Sequence, residues 1–219
     1  MPPLSPRAEG GRRPASAALI VALTGNIAAG KSLVTALFRG WGASIVDADQ
    51  VVRDLQRPGT AVFQQIVKRF GTAILTKDGE LDRRALRRLI LEDIRARSDL
   101  NAIVHPAVRA QQAILVAAAR AAGARIIVVD IPLLFEAADP AEFDAVVLVD
   151  APAAVRLHRL VTLRGLPRED AERLIAAQLP SQAKRPRSQF VIDNDGDRAQ
   201  LERRARDVWL ALEARAGAA

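Results

Sequence analysis

The chain has 219 residues, half of them hydrophobic, no cysteine and a formal net charge of +7. That length suits one α/β domain with room for an inserted subdomain, and the absence of thiols excludes disulfides and cysteine-based zinc sites. No uninterrupted apolar run approaches the roughly 20 residues of a membrane helix, and the basic residues are spread along the chain instead of being gathered with aromatics on one element, which argues against a nucleic-acid surface.

Residues 1–17 are rich in Pro, Arg and Gly and poor in large apolar side chains, so a disordered extension is expected there. It has no apolar stretch of the kind a secretory signal needs. Leu19–Thr24 then reads as a buried strand, followed by Gly25-Asn26-Ile27-Ala28-Ala29-Gly30-Lys31-Ser32 and a helix continuing from Leu33. Strand, glycine loop and helix in this order form a phosphate-binding loop of the Walker A type. Gly25 and Gly30 let the backbone curl so that its N–H groups converge on phosphate oxygens. Lys31 supplies a point charge for the β- and γ-phosphates, and Ser32 a hydroxyl for Mg²⁺. The basic residues are almost all Arg, with lysine only at Lys31, Lys68, Lys77 and Lys184, which makes Lys31 more telling.

Further apolar runs at Ala43–Asp47, Arg125–Ile131, Asp144–Asp150 and Gln189–Asp193 read as strands buried on both faces, separated by helical patterns. Five such strands predict a parallel sheet covered by helices, a three-layer α/β fold. The second strand runs into Asp47-Ala48-Asp49. Either carboxylate is placed to accept a substrate hydroxyl proton or to cap the helix that follows. The stretch 51–123 holds too many helical segments for one crossover and predicts a helical insertion. Within it, His105-Pro106 is placed to open a helix, with Pro at its first position. Asp130, after Ile126-Ile127-Val128-Val129, sits where a Walker B acid would hold Mg²⁺. The Arg-rich stretch 153–187 reads as a lid, although any one of its arginines suits a solvated helix face equally. A terminal helix spans Asp197–Ala216.

Together these motifs resemble the dephospho-coenzyme A kinase family. The matching stretches include Gly25 to Ser32, Val46-Asp47-Ala48-Asp49, His105-Pro106 with Arg109, and Pro132-Leu133-Leu134-Phe135-Glu136. Val149-Asp150-Ala151-Pro152, Arg159-Leu160, Ala176-Ala177-Gln178 and Val191-Ile192-Asp193-Asn194 complete the series. The resemblance implies phosphorylation of the ribose 3′-hydroxyl of dephospho-coenzyme A by Mg·ATP, the last step of coenzyme A synthesis, in the cytoplasm. It implies one P-loop kinase domain over 18–216. Its core would comprise 18–50, 124–152 and 188–216, with the helical substrate-binding insertion at 51–123 and the lid at 153–187.

By the same resemblance, Asp49 is the general base, Lys31 the phosphate anchor and Arg159 the lid arginine. ATP contacts are implied for Gly25, Asn26, Ile27, Ala28, Ala29, Gly30, Lys31, Ser32, Leu33 and Asn194, and Mg²⁺ contacts for Ser32 and Asp130. The substrate side would be lined by Asp49, His105, Arg109, Leu133, Leu134, Phe135 and Glu136. The expected partners are ATP and dephospho-coenzyme A, with no nucleic acid or membrane, in a monomer or weak homo-oligomer.

The chain departs from the family pattern at three places. Asn26 stands where relatives usually have Gly; if that backbone position needs positive φ, Asn tolerates it better than most residues. Leu163 replaces a common Arg, with Arg164 following it. Pro186 interrupts Lys184-Arg185-Pro186-Arg187 on the way into the last strand. A different small-molecule P-loop kinase shares the loop and lid but not the Asp-Ala-Asp or Pro-Leu-Leu-Phe-Glu elements. A GTP-binding switch would need an Asn-Lys-x-Asp element, which is missing.

Overall fold

The computed structural model describes residues 18–218, so the extension expected at 1–17 lies outside the described residues. The strands are β1 (Leu19–Gly25), β2 (Ser44–Asp47), β3 (Ile126–Asp130), β4 (Ala145–Asp150) and β5 (Phe190–Asp193), in the order β2-β3-β1-β4-β5. The pairings are parallel. β1 registers Leu19 on Ile126 of β3 and Val21 on Ala145 of β4, and β5 sets Asp193 beside Asp150. All residues of β1, β3 and β4 are buried, as expected for strands covered on both faces. The chain leaves β1 in one direction for β2 and β3 and returns to its other side for β4. The phosphate loop therefore opens at the switch point of the sheet, where parallel α/β folds bind ligands.

By contact density the chain divides into two compact units, Asp47–Leu115 and the described residues on either side of it. In the larger unit, α1 (Lys31–Gly40) and α10 (Arg198–Gly217) cover the sheet. Phe38, Trp41 and Trp209 pack as a tilted aromatic trio, the Phe38 and Trp209 centroids being 5.5 Å apart. Asp197 caps α10 by accepting from Gln200 N–H (2.7 Å).

The unit Asp47–Leu115 holds α2 (Ala48–Leu55), α3 (Ala61–Phe70), α4 (Arg83–Glu92) and most of α5 (Ile94–Ala121). Each of the first three starts at an oxygen-bearing cap: Asp47, Thr60 and Asp82 accept from Gln50, Phe63 and Ala85 N–H respectively. Ile66, Ile74, Leu81, Leu86, Leu100 and Val104 form its own core.

One expectation fails here. His105-Pro106 opens no helix, because Pro106 lies inside the continuous 28-residue α5. Proline removes one ladder hydrogen bond, but Leu100 and Val104 before it and Ala107 and Val108 after it pack against the same core and hold the axis through it. By length and composition α5 could also cross a bilayer, its most apolar window having a mean hydropathy of 1.2.

After β3 comes α6 (Leu134–Ala137), and after β4 come α7 (Ala153–His158), a π-helical turn at Arg159–Leu163, α8 (Arg168–Ala176) and α9 (Ser181–Lys184). Pro186 sits in a 3₁₀ turn, Arg185–Arg187, which tolerates its fixed φ and delivers the chain to β5.

Trp209 is 3% exposed. Replacing it with Ala should lower the unfolding free energy by about 3–5 kcal/mol, measured by urea denaturation. A loss below about 1 kcal/mol would show that the aromatic trio is dispensable.

Candidate nucleotide site

The site is built around the start of α1. Its N-cap is Gly30, with φ 99°, and no side chain caps the helix or places an acid in its first turn. The leading N–H groups therefore remain available to an anion, with the positive end of the helix dipole behind them. Gly25 is needed for a different reason, since a Cβ there would lie 2.6 Å from Val149 O on the neighbouring strand. Ala28 is the one described non-glycine residue with positive φ (58°). Asn26 has no positive φ, so the position does not call on the tolerance of Asn for that region. Its amide is instead buried in a hydrogen-bond network. Nδ2 donates to Leu179 O and Ser181 Oγ, both at 3.3 Å, and Oδ1 accepts from Lys184 Nζ at 2.6 Å.

Lys31 pairs with Asp130 at the end of β3, and Asp130 also accepts from Thr35 Oγ1 (2.8 Å). Asp130 is nearly buried, and the pair holds the ammonium at the mouth of the loop. Ser32 is exposed one residue further on. Among the described residues no three acidic or imidazole groups converge on a cation. One hydroxyl and one carboxylate suit Mg²⁺, which keeps most of its shell as phosphate oxygen and water.

Arg159 and Asn194 grip the far side of the loop. Arg159 Nη1 donates to Ala28 O (3.2 Å) and Nη2 to Asn194 O (3.0 Å), while Asn194 Nδ2 donates to Ala29 O (2.7 Å). A cavity of about 310 Å³ opens there, lined by Ser32, Leu33, Arg159, Leu163, Arg164 and Asn194 among others. A π-helical turn over Arg159–Leu163 precedes Arg164, and Leu163 and Arg164 both line the cavity wall.

The other arginines of this stretch sort by environment. Arg168 and Arg173 make exposed pairs with Glu172 and Asp170 on the surface of α8. Arg185 bridges Asp193 and Asp150, and these two carboxylates raise its pKa. Arg156 is buried, donating from Nε to Ala151 O (3.1 Å). Burial lowers its pKa against the opposing charge of Asp150.

The residues expected on the substrate side fall in both units. Leu134 and Phe135 are 0% and 8% exposed, so both face inward, and Arg187 stacks on the Phe135 ring (4.8 Å). The Glu136 carboxylate accepts from Lys184 Nζ (2.7 Å) and Leu179 N–H (3.2 Å). Of the four, only Leu133 offers an exposed apolar side chain. Asp49, His105 and Arg109 belong to the other unit and are exposed on α2 and α5. Asp47 is committed as the α2 cap. Thr35, Gln178 and Lys184 were not expected at the loop. The scarcity of lysine that singled out Lys31 was also a signal for Lys184.

The Dephospho-CoA kinase family model matches residues 19–200. A dephospho-CoA kinase of Corynebacterium diphtheriae is 44% identical over 192 residues, covering 87% of this chain and 95% of that protein. One from Geobacter sulfurreducens is 40% identical over 87% of this chain and 96% of its own length. A Thermus thermophilus crystal structure superposes with a TM-score of 0.78 at 34% identity, covering 89% of this chain and 97% of that one.

An Ala in the left-handed region costs about 1 kcal/mol. Ala28→Gly should therefore raise the unfolding free energy by about 0.5–1 kcal/mol in urea titrations. A decrease would show that the methyl group contributes more than the backbone strain costs.

Proposed function

The chain belongs to the dephospho-CoA kinase family, and we propose that it transfers the γ-phosphoryl group of ATP to the ribose 3′-hydroxyl of dephospho-coenzyme A, yielding coenzyme A and ADP. The observation that carries this reading is the uncapped, acid-free N-terminus of α1, with Lys31 held beside it on Asp130.

In this mechanism the N–H groups of Gly30, Lys31 and Ser32 take the phosphate oxygens. Lys31 exchanges Asp130 for the β- and γ-oxygens once the triphosphate arrives, because a polyanionic group outcompetes one carboxylate for a flexible ammonium. Ser32 and Asp130 would hold Mg²⁺, which when bound neutralises charge between the β- and γ-phosphates. Asp49 accepts the proton of the 3′-hydroxyl as that oxygen bonds to the γ-phosphorus and the β–γ bridging oxygen leaves with ADP. Two features support giving Asp49 this role. It lies in the motif that the family shares, and Asp47, the competing carboxylate, is spent on Gln50 N–H.

Arg159 and Arg164 face the charge of the transferring group from the cavity wall. Leu133, His105 and Arg109 are the remaining candidates for binding the acceptor. The working compartment is the cytoplasm, where ATP is supplied.

Turnover with dephospho-coenzyme A, and none with AMP, adenosine or gluconate, tests the assignment. Activity on another acceptor alone would retain the kinase and overturn the substrate. Asp49→Asn should lower kcat by about 10²–10⁴-fold with MgADP affinity intact; turnover near wild type would remove Asp49 as the base. Arg164→Ala should lower kcat/KM by about 10-fold or more if its charge faces the transferring phosphate, and an unchanged value would return it to the solvent surface.

A further inference from the structure

The phosphate loop is held from outside by a segment that the reaction scheme leaves unused. Gln178 Oε1 accepts from Ile27 N–H at 2.8 Å. Leu179 O and Ser181 Oγ accept from the Asn26 amide, and Lys184 donates to the other end of that amide. The first two loop residues after Gly25 are thus tied at three polar groups by residues 178–184. Lys184 is 0% exposed, and its second partner is Glu136. A buried ammonium is costly, and an apolar side chain of the same length would fill the space at less cost. What the ammonium adds is direction. It fixes which way the Asn26 amide points, and Asn26 O accepts from Ala29 N–H (3.0 Å), closing the turn that delivers Gly30 to the start of α1.

We infer that Gln178 and Lys184 are positioning residues for the nucleotide phosphates. They hold the first turn of the loop through Ile27 N–H and the Asn26 amide, so that the N–H groups at the start of α1 keep their convergent arrangement without nucleotide. The inference rests on the reading of this loop as the ATP site. It assigns neither residue any contact with ATP. The whole anchoring set lies within the larger unit. Because the acceptor is Asn26 Oδ1, the Lys184 arm needs an acceptor side chain at this position.

The test compares MgADP affinity by calorimetry with thermal melting for Gln178→Ala, Lys184→Met, Asn26→Gly and the Lys184→Met/Asn26→Gly pair. Gln178→Ala and Lys184→Met should each weaken MgADP about tenfold, as leaving a loop donor or acceptor without its hydrogen-bond partner does. The KM for ATP should rise with it, and the KM for dephospho-coenzyme A should stay within about twofold, because the loop does not hold the acceptor. The double variant should lose less affinity than the sum of the two single losses, since both substitutions remove the Lys184–Asn26 bond.

Lower melting temperatures with MgADP affinity within about twofold of wild type would reduce both residues to structural supports and overturn the inference. If Lys184→Met does not fold, Gln178→Ala decides alone, since Gln178 is only half-buried. Wild-type protein that binds MgADP but leaves dephospho-coenzyme A untouched would overturn the acceptor and not this inference. Failure of wild type to bind MgADP would overturn both.

Discussion

An unsatisfied helix start is the constraint on which the rest of the site depends. To receive phosphate, α1 has to begin with free N–H groups, so no side chain may cap it, and Gly30 supplies none. Every other polar group of the loop then needs a partner elsewhere. The Ala28 and Ala29 carbonyls are taken by Arg159 and Asn194, Ile27 N–H by Gln178, and the Asn26 amide by residues 179–184. Lys31 waits on Asp130, which Thr35 holds in turn. The arrangement gives up local stability, visibly in the left-handed backbone at Ala28, for a surface already shaped for an anion.

Much of this follows from local rules. Continuous apolar runs mark β1, β3 and β4 because strands buried on both faces need no alternation, and the glycine spacing places the loop between β1 and α1. Asp47 and Asp197 are helix caps that local chemistry makes legible.

The rest depends on contacts between residues far apart in the chain. Gln178 meets Ile27 across 151 residues and Lys184 meets Asn26 across 158, which no periodicity records. Pro106 looks like a helix start until the packing of Leu100, Val104 and Val108 overrules it. Leu134 and Phe135 are motif residues that the core claims, and only coordinates distinguish the two uses. The π-helical turn before Arg164 likewise leaves no mark in composition.

The aromatic trio has a spectroscopic consequence. The chain contains two tryptophans and no tyrosine. Trp41 and Trp209 lie 6.2 Å apart in one cluster, with Arg206 over the Trp41 ring. Both indoles therefore belong to the nucleotide-binding unit, and Asp47–Leu115 carries none. Intrinsic emission from this protein is a one-sided reporter. It follows the packing of α1 against α10, and neither indole lies on the helices that carry Asp49, His105 and Arg109. A reporter for those helices has to be introduced, and the absence of cysteine leaves a single engineered thiol free to carry it.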